Sequence, residues 1–141
     1  MKKIIALVLA LVLSLSLVAC GGGSADAPKV DNSKIAAYIE ANKADLVSSM
    51  ESSFATSSGM TCTSDIKVEG MGFVMTININ ELDEVDAATK DLLQETYDAM
   101  DSVFESALET MQKDLPEIEY FEVVVCEVDG DVLATVTAGN K

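Results

Sequence analysis

Two segments in which apolar and polar side chains alternate constrain the fold of this chain more than any other feature. From Met60 to Glu69, apolar residues alternate with Thr, Asp and Lys, and the alternation resumes from Phe73 to Ile79. The intervening segment 70–72 contains two glycines and can turn the chain. A period of two residues puts the apolar side chains on one face of a strand. The region therefore predicts a β-hairpin with one buried face.

The second alternating segment lies near the end of the sequence and carries a two-residue turn signal, Asp129-Gly130. This turn would pair Val125 with Ala134 and Val123 with Val136, and both pairs fall on an apolar face that supports the register.

The other face of this second hairpin is only partly polar. If it is uncovered, we expect an apolar patch that contacts another molecule; the alternative is that the C-terminal residues or a loop cover it. The members of this predicted patch are Tyr120, Val124 and Leu133.

Each hairpin follows a segment with helical periodicity. The first helix is expected to begin at 31–33, where Asp, Asn and Ser offer capping oxygens, and to end near Ala55. The second helix follows the acidic segment 83–86, whose carboxylates complement the positive end of a helix dipole. Its apolar spacing predicts one helix of roughly 25 to 30 residues, which Pro116 stops.

The element order α-β-β-α-β-β predicts an α+β fold in a single domain, residues 31–141. We expect a two-layer sandwich in which a four-stranded antiparallel sheet carries both helices on one face.

The first twenty residues have the layout of a secretory signal. Lys2 and Lys3 precede an apolar run of roughly 15 residues that ends at Val18, shorter than the ~20 residues that a membrane-spanning helix needs. Cys20 follows this run, and a Gly- and Ser-rich segment follows Cys20 and ends near Pro28.

The stretch Leu17-Val18-Ala19-Cys20 resembles the lipobox of bacterial lipoproteins. The resemblance implies a signal peptide of residues 1–19, diacylglycerol on the thiol of Cys20, and a flexible tether within residues 20–30. It also implies a location on the outer face of the plasma membrane, where two acyl chains give stable anchoring. The alternatives are an ordinary cleaved signal or an uncleaved anchor with a chance cysteine.

The domain after the tether also resembles small bacterial lipoprotein domains with this element order. The features that carry this resemblance are the acidic segment 83–86 and the Val-rich strand that ends in Asp129-Gly130. That family has no known activity, so the resemblance implies a fold and no chemistry.

Charge and composition exclude several classes of function. All 24 acidic residues follow residue 19, and only seven of the nine lysines do, so the exported part is more negative than the whole chain's formal charge of −15. Such a chain repels nucleic acid, and we predict no nucleic-acid partner. The sequence contains no His, so Ser-His-Asp triads and His-based zinc sites are impossible.

Two cysteines remain in the domain, Cys62 and Cys126. Export would permit a disulfide, but the strand pattern puts the two on opposite faces, which argues against a bridge. The alternative is that both are small buried apolar residues.

The densest group of carboxylates lies between the first hairpin and the second helix. Oxygen ligands suit Ca²⁺, and the first candidates are Asp83, Glu84 and Asp86, beside Glu81. The segment lacks the glycine of an EF-hand loop, and helix-dipole electrostatics explain the same residues. Asp129 and Asp131 are better explained by the hairpin turn. We therefore predict no metal site and no cofactor.

These observations favour a lipid-anchored, non-enzymatic binding module of the cell envelope. It would contact a partner protein or peptide through the outer face of the sheet or the acidic face of the second helix. The alternative is a lipoprotein that binds a cation or a small ligand. No catalytic residue is predicted, and Cys20 is the one predicted site of modification.

Overall fold

The computed structural model describes residues 32–141. The predicted signal peptide, Cys20 and the predicted tether lie outside the described residues. Within them, the chain forms three helices and four strands, which confirms the α+β class. The helices are α1 (Ser33–Ser58), α2 (Ala87–Asp98) and α3 (Asp101–Asp114), and the strands are β1 (Cys62–Glu69), β2 (Gly72–Ile79), β3 (Tyr120–Cys126) and β4 (Val132–Gly139).

The four strands form one mixed sheet in the order β1-β2-β3-β4. Each hairpin is antiparallel, but β2 and β3 at the centre are parallel. The prediction of an entirely antiparallel sheet was therefore wrong for the central pair. The reason is the connection 80–119, because its helices carry the chain back along the sheet, so that β3 starts at the same end as β2.

The second predicted helix is divided. α2 ends at Asp98, and α3 begins at Asp101 after Ala99 and Met100. The apolar positions keep their helical spacing across this break, so periodicity alone indicated one helix. The break leaves the rings of Tyr97 and Phe104, one from each helix, 6.4 Å apart in the core.

The helix ends also differ in part from expectation. α1 continues to Ser58 and ends on Gly59, whose φ of +70° is the left-handed conformation that glycine adopts readily. Asn32 at its start makes no side-chain capping hydrogen bond. At the start of α2, Asp86 accepts a hydrogen bond from the Thr89 N–H at 2.9 Å, so it acts as a cap. No helix among residues 32–141 combines the length and apolar character that crossing a bilayer requires.

The core lies between the helices and the apolar face of the sheet, as predicted. The predicted pairs of the second hairpin, Val125 with Ala134 and Val123 with Val136, are confirmed. At the centre, the rings of Phe73 and Phe121 stack 5.7 Å apart across the parallel strands. Buried apolar side chains from both hairpins and all three helices form one cluster, to which Tyr120 and Cys126 do not belong.

Candidate functional site

Two loops meet at one end of the sheet: the segment 80–86 after β2 and the turn 127–131 between β3 and β4. The Val128 N–H donates to the Leu82 carbonyl at 3.0 Å, which joins the two loops through their backbones. We call this region the acidic end. Its carboxylates are Glu81, Asp83, Glu84, Asp86, Glu127, Asp129 and Asp131.

Glu127 is the structural centre of the acidic end. Its side chain is only 2% exposed, and burying a carboxylate is costly unless it is paired. The Lys90 Nζ lies 2.9 Å from Glu127 Oε1, and the Val85 N–H donates to the same oxygen at 3.1 Å. The hydrogen bond to Glu127 raises the pKa of Lys90. Glu127 therefore links the turn 127–131 to the loop 80–86 and to the start of α2.

Three carboxylates converge in the acidic end. Oxygens of Asp83, Glu127 and Asp129 lie within 4.8 Å of one another, and Asp83 and Asp129 are exposed. Carboxylate oxygens at this spacing suit a hard cation such as Ca²⁺. Ca²⁺ takes six to eight oxygen ligands, so solvent and backbone oxygens would have to supply the rest. The ammonium group of Lys90 is already paired with Glu127 and would compete with such an ion for the Glu127 carboxylate.

Only one of the three predicted cation ligands belongs to this group. Asp83 does, whereas Asp86 caps α2, and Glu84 is an exposed loop residue with a φ of +53°. Glu127 was missed, because a carboxylate after a Val-rich strand looks like an ordinary solvent-facing position. Its partner Lys90 comes from another element, and no local pattern in the sequence indicates that pairing.

The predicted apolar patch on the outer sheet face does not exist as a patch. Tyr120 lies on that face but is only 5% exposed; its hydroxyl donates to the Glu69 carbonyl at 2.6 Å, and the Lys141 Nζ lies 5.9 Å from its ring centroid. A bulge beside Cys126 turns Leu133 into the core, so that of the three predicted residues Val124 alone is half-buried on the outer face. The alternative expectation, that the C-terminal residues cover this face, is confirmed at Tyr120.

A second acidic surface runs along the exposed side of α2 and α3. We call it the acidic helical face; its residues are Asp91, Glu95, Asp98, Asp101, Glu105 and Glu109, and all six are exposed. They recur at spacings of three and four, so neighbours on the same helix lie about one turn apart. Two exposed apolar residues, Leu92 and Val103, lie on the same two helices.

Both cysteines of the domain are free and buried. Cys62 pairs with Ile79 on the core face, and Cys126 lies beside Asn78 on the opposite face, so the predicted placement is confirmed. Burial, with a smaller effect of nearby Glu51, raises the pKa of the Cys62 thiol to about 11. A thiol that is seldom ionised is a weak nucleophile, so Cys62 has a structural role.

An apolar recess opens between α1 and α3. It is lined by Tyr38, Ile39, Phe73, Met111, Asp114, Leu115 and Ile118. Its volume of about 10 Å³ corresponds to roughly one water molecule, too small for a substrate.

No protein-family model matches the chain, and neither a curated protein nor a solved structure shows significant similarity to it.

Proposed function

We propose that this protein is exported by residues 1–19, anchored through lipid on Cys20 to the outer face of the plasma membrane, and acts there as a non-enzymatic binding module. The lipobox-like stretch Leu17–Cys20 supports the anchor. The acidic helical face supports the binding role. Its partner, in this proposal, is an envelope protein or peptide segment rich in lysine or arginine.

The observation that carries the binding role is the single sign of charge along the acidic helical face. Asp91 and Glu95 are four residues apart, as are Asp101 and Glu105, and like charges at this spacing destabilise a helix by about 0.2–0.5 kcal/mol per pair. Lys90, at the start of α2, does not offset them, because it is paired with Glu127. A surface that presents one sign of charge suits a partner of opposite charge.

Crosslinking in cells tests this proposal. A photo-reactive amino acid replaces Leu92, which is exposed beside the acidic helical face, and mass spectrometry identifies the captured protein. The triple variant Asp91→Lys, Glu95→Lys, Glu109→Lys should lose that crosslink. The control variant Glu40→Lys, Asp45→Lys, Glu119→Lys changes the net charge equally at exposed positions elsewhere and should keep it.

The purified partner then gives the quantitative readout. Its affinity for the lipidated protein should fall with rising salt, because screening weakens contacts between exposed charges. Equal loss of binding in both triple variants would mean that net charge alone acts. Capture of nothing above background, or retention of the crosslink in the first variant, contradicts the proposed surface.

Cation binding is a second candidate, favoured by the convergence of Asp83, Glu127 and Asp129. Calorimetric titration of the protein with Ca²⁺ tests it. The double variant Asp83→Asn, Asp129→Asn should bind at least tenfold more weakly, while Glu84→Gln, in the same loop but outside the group, should bind as the wild type does. Absence of a binding isotherm with the wild-type protein excludes this candidate.

A further inference from the structure

We infer that the domain stands on the membrane with its acidic end directed away from the bilayer. The inference rests on the proposed lipid anchor at Cys20. It adds an orientation, which follows from where the described chain begins and from how its charges are distributed along the sheet.

The chain enters the domain at the end opposite the acidic end. At the start of α1, Lys34 Nζ lies 2.6 Å from Glu117 Oε1, just before β3 begins. The Glu119 N–H donates to the Met71 carbonyl in the turn between β1 and β2. The first turn of α1, the β1–β2 turn and the segment 116–119 therefore lie together, and we call this region the N-terminal end.

The acidic end lies one strand length away. α1 runs for 26 residues, about 39 Å, from the N-terminal end towards the start of β1. There the Asn80 N–H donates to the Thr61 carbonyl at 3.1 Å, which places the end of β2 and the loop 80–86 beside the start of β1. The turn 127–131 joins that loop, so the acidic end is the far end of the domain from Asn32.

The length of chain before Asn32 limits how the domain can lie. Residues 21–31 separate Cys20 from Asn32, and a segment of that length spans at most about 40 Å. The N-terminal end therefore stays within about 40 Å of Cys20, whereas the acidic end can lie farther out by the length of the domain.

The distribution of charge favours the same orientation. The acidic end carries seven carboxylates against one lysine, Lys90. At the N-terminal end, Lys34 pairs with Glu117 and Lys141 lies 3.7 Å from Glu69, so that among these residues and Glu119 two lysines face three carboxylates. An anionic bilayer repels the acidic end more strongly than the N-terminal end, and this repulsion acts within a Debye length of the surface.

Energy transfer from the protein to a labelled bilayer tests the orientation. The full chain carrying either Glu119→Cys or Val128→Cys is purified in its lipidated form, and the added cysteine carries the donor dye. The protein is then reconstituted in vesicles of neutral and anionic phospholipid, whose headgroups carry the acceptor dye. Both positions are exposed, and they flank the same strand β3 at the two ends of the domain. The chain without an added cysteine measures the background from Cys62 and Cys126, which are buried.

We expect weaker transfer from position 128 than from position 119, equivalent to a distance greater by up to about 25 Å, the length of the strand between them. Raising the anionic fraction should widen the difference. Equal transfer, or stronger transfer from position 128, overturns the orientation while leaving the anchor intact. The mass of the N-terminal peptide is read separately: if Cys20 carries no lipid, the anchor fails, and the orientation fails with it.

Discussion

The side chain of Gln94 takes the place of a neighbouring strand beside Thr135. Its Oε1 accepts the Thr135 N–H at 2.9 Å, and its Nε2 donates to the Thr135 carbonyl at 2.8 Å. β4 is an edge strand, so these backbone groups would otherwise be open to another chain. At the other edge, Glu51 of α1 similarly accepts the Ser64 N–H of β1 at 2.9 Å. Both edges of the sheet are thus partly closed by helical side chains.

The first prediction follows from this closure. Gln94→Leu removes both hydrogen bonds to Thr135 and should lower the free energy of unfolding by about 1–2 kcal/mol. It should also promote concentration-dependent association through β4. Urea denaturation and sedimentation velocity measure the two effects. Glu95→Leu adds the same side chain at the adjacent exposed position and should neither lower the unfolding free energy nor promote association. If the two variants behave alike, Gln94 does not protect the open edge of β4.

The second prediction compares two buried tyrosines. The Tyr97 hydroxyl is buried and has no hydrogen-bond partner, whereas the Tyr120 hydroxyl donates to the Glu69 carbonyl. Because an unpaired buried hydroxyl costs free energy, Tyr97→Phe should leave stability unchanged or raise it. Tyr120→Phe loses a hydrogen bond and should lower the unfolding free energy by about 1 kcal/mol. Urea denaturation of both variants decides, and the reverse ranking would show that Tyr97 has a partner in solution.

The sequence predicted the hairpins well, because alternation is a local property that also fixes register. Val123 and Val125 could be paired with their partners since a two-residue turn leaves one register with a wholly apolar face. The direction of β3 relative to β2 depends on the path of the two helices that connect them. The alternation of apolar and polar residues within each strand does not predict that path. The bulge that turns Leu133 inward could not be predicted either. It changes which side of the sheet Leu133 faces, but it leaves the order of apolar and polar residues in the sequence unchanged.

The candidate site was harder to predict, because it also depends on contacts between residues that are distant in the sequence. Asp83 could be named, since the carboxylates of its loop are neighbours in sequence. Glu127 joins them only because two loops meet at one end of the sheet. Its burial requires Lys90 from α2, and a pairing between residues so far apart in the chain leaves no local signal.

The third prediction concerns alkaline pH. Cys62 has a folded pKa of about 11 against an ordinary value of 9.0, because burial disfavours the thiolate. Between these values the unfolded chain has lost a proton that the folded chain keeps. Stability from this group is therefore constant below pH 9 and falls as the pH rises from 9 to 11. Once the thiol is ionised in both states, the loss amounts to about 3 kcal/mol.

Cys62→Ala isolates this contribution from the other groups that titrate in the same range. The variant is less stable at pH 7, because it leaves space in the core, but its unfolding free energy should fall less steeply between pH 9 and 11. Urea denaturation at several pH values gives both curves. Parallel curves for the variant and the wild type would show that the Cys62 thiol does not titrate with a raised pKa.

The fourth prediction tests whether Lys90 and Glu127 act as one unit. Lys90→Met leaves the Glu127 carboxylate buried without its charged partner, and we expect a loss of about 2 kcal/mol in unfolding free energy, reduced from the value for a fully buried pair by the partial exposure of Lys90. Glu127→Gln keeps the shape and removes the charge. The double variant should be more stable than Lys90→Met alone, because no buried charge remains without a partner. Additive losses in this double-mutant cycle would mean that the two charges do not interact. The two loops of the acidic end would then be held together by the backbone hydrogen bond between Leu82 and Val128 rather than by the buried ion pair.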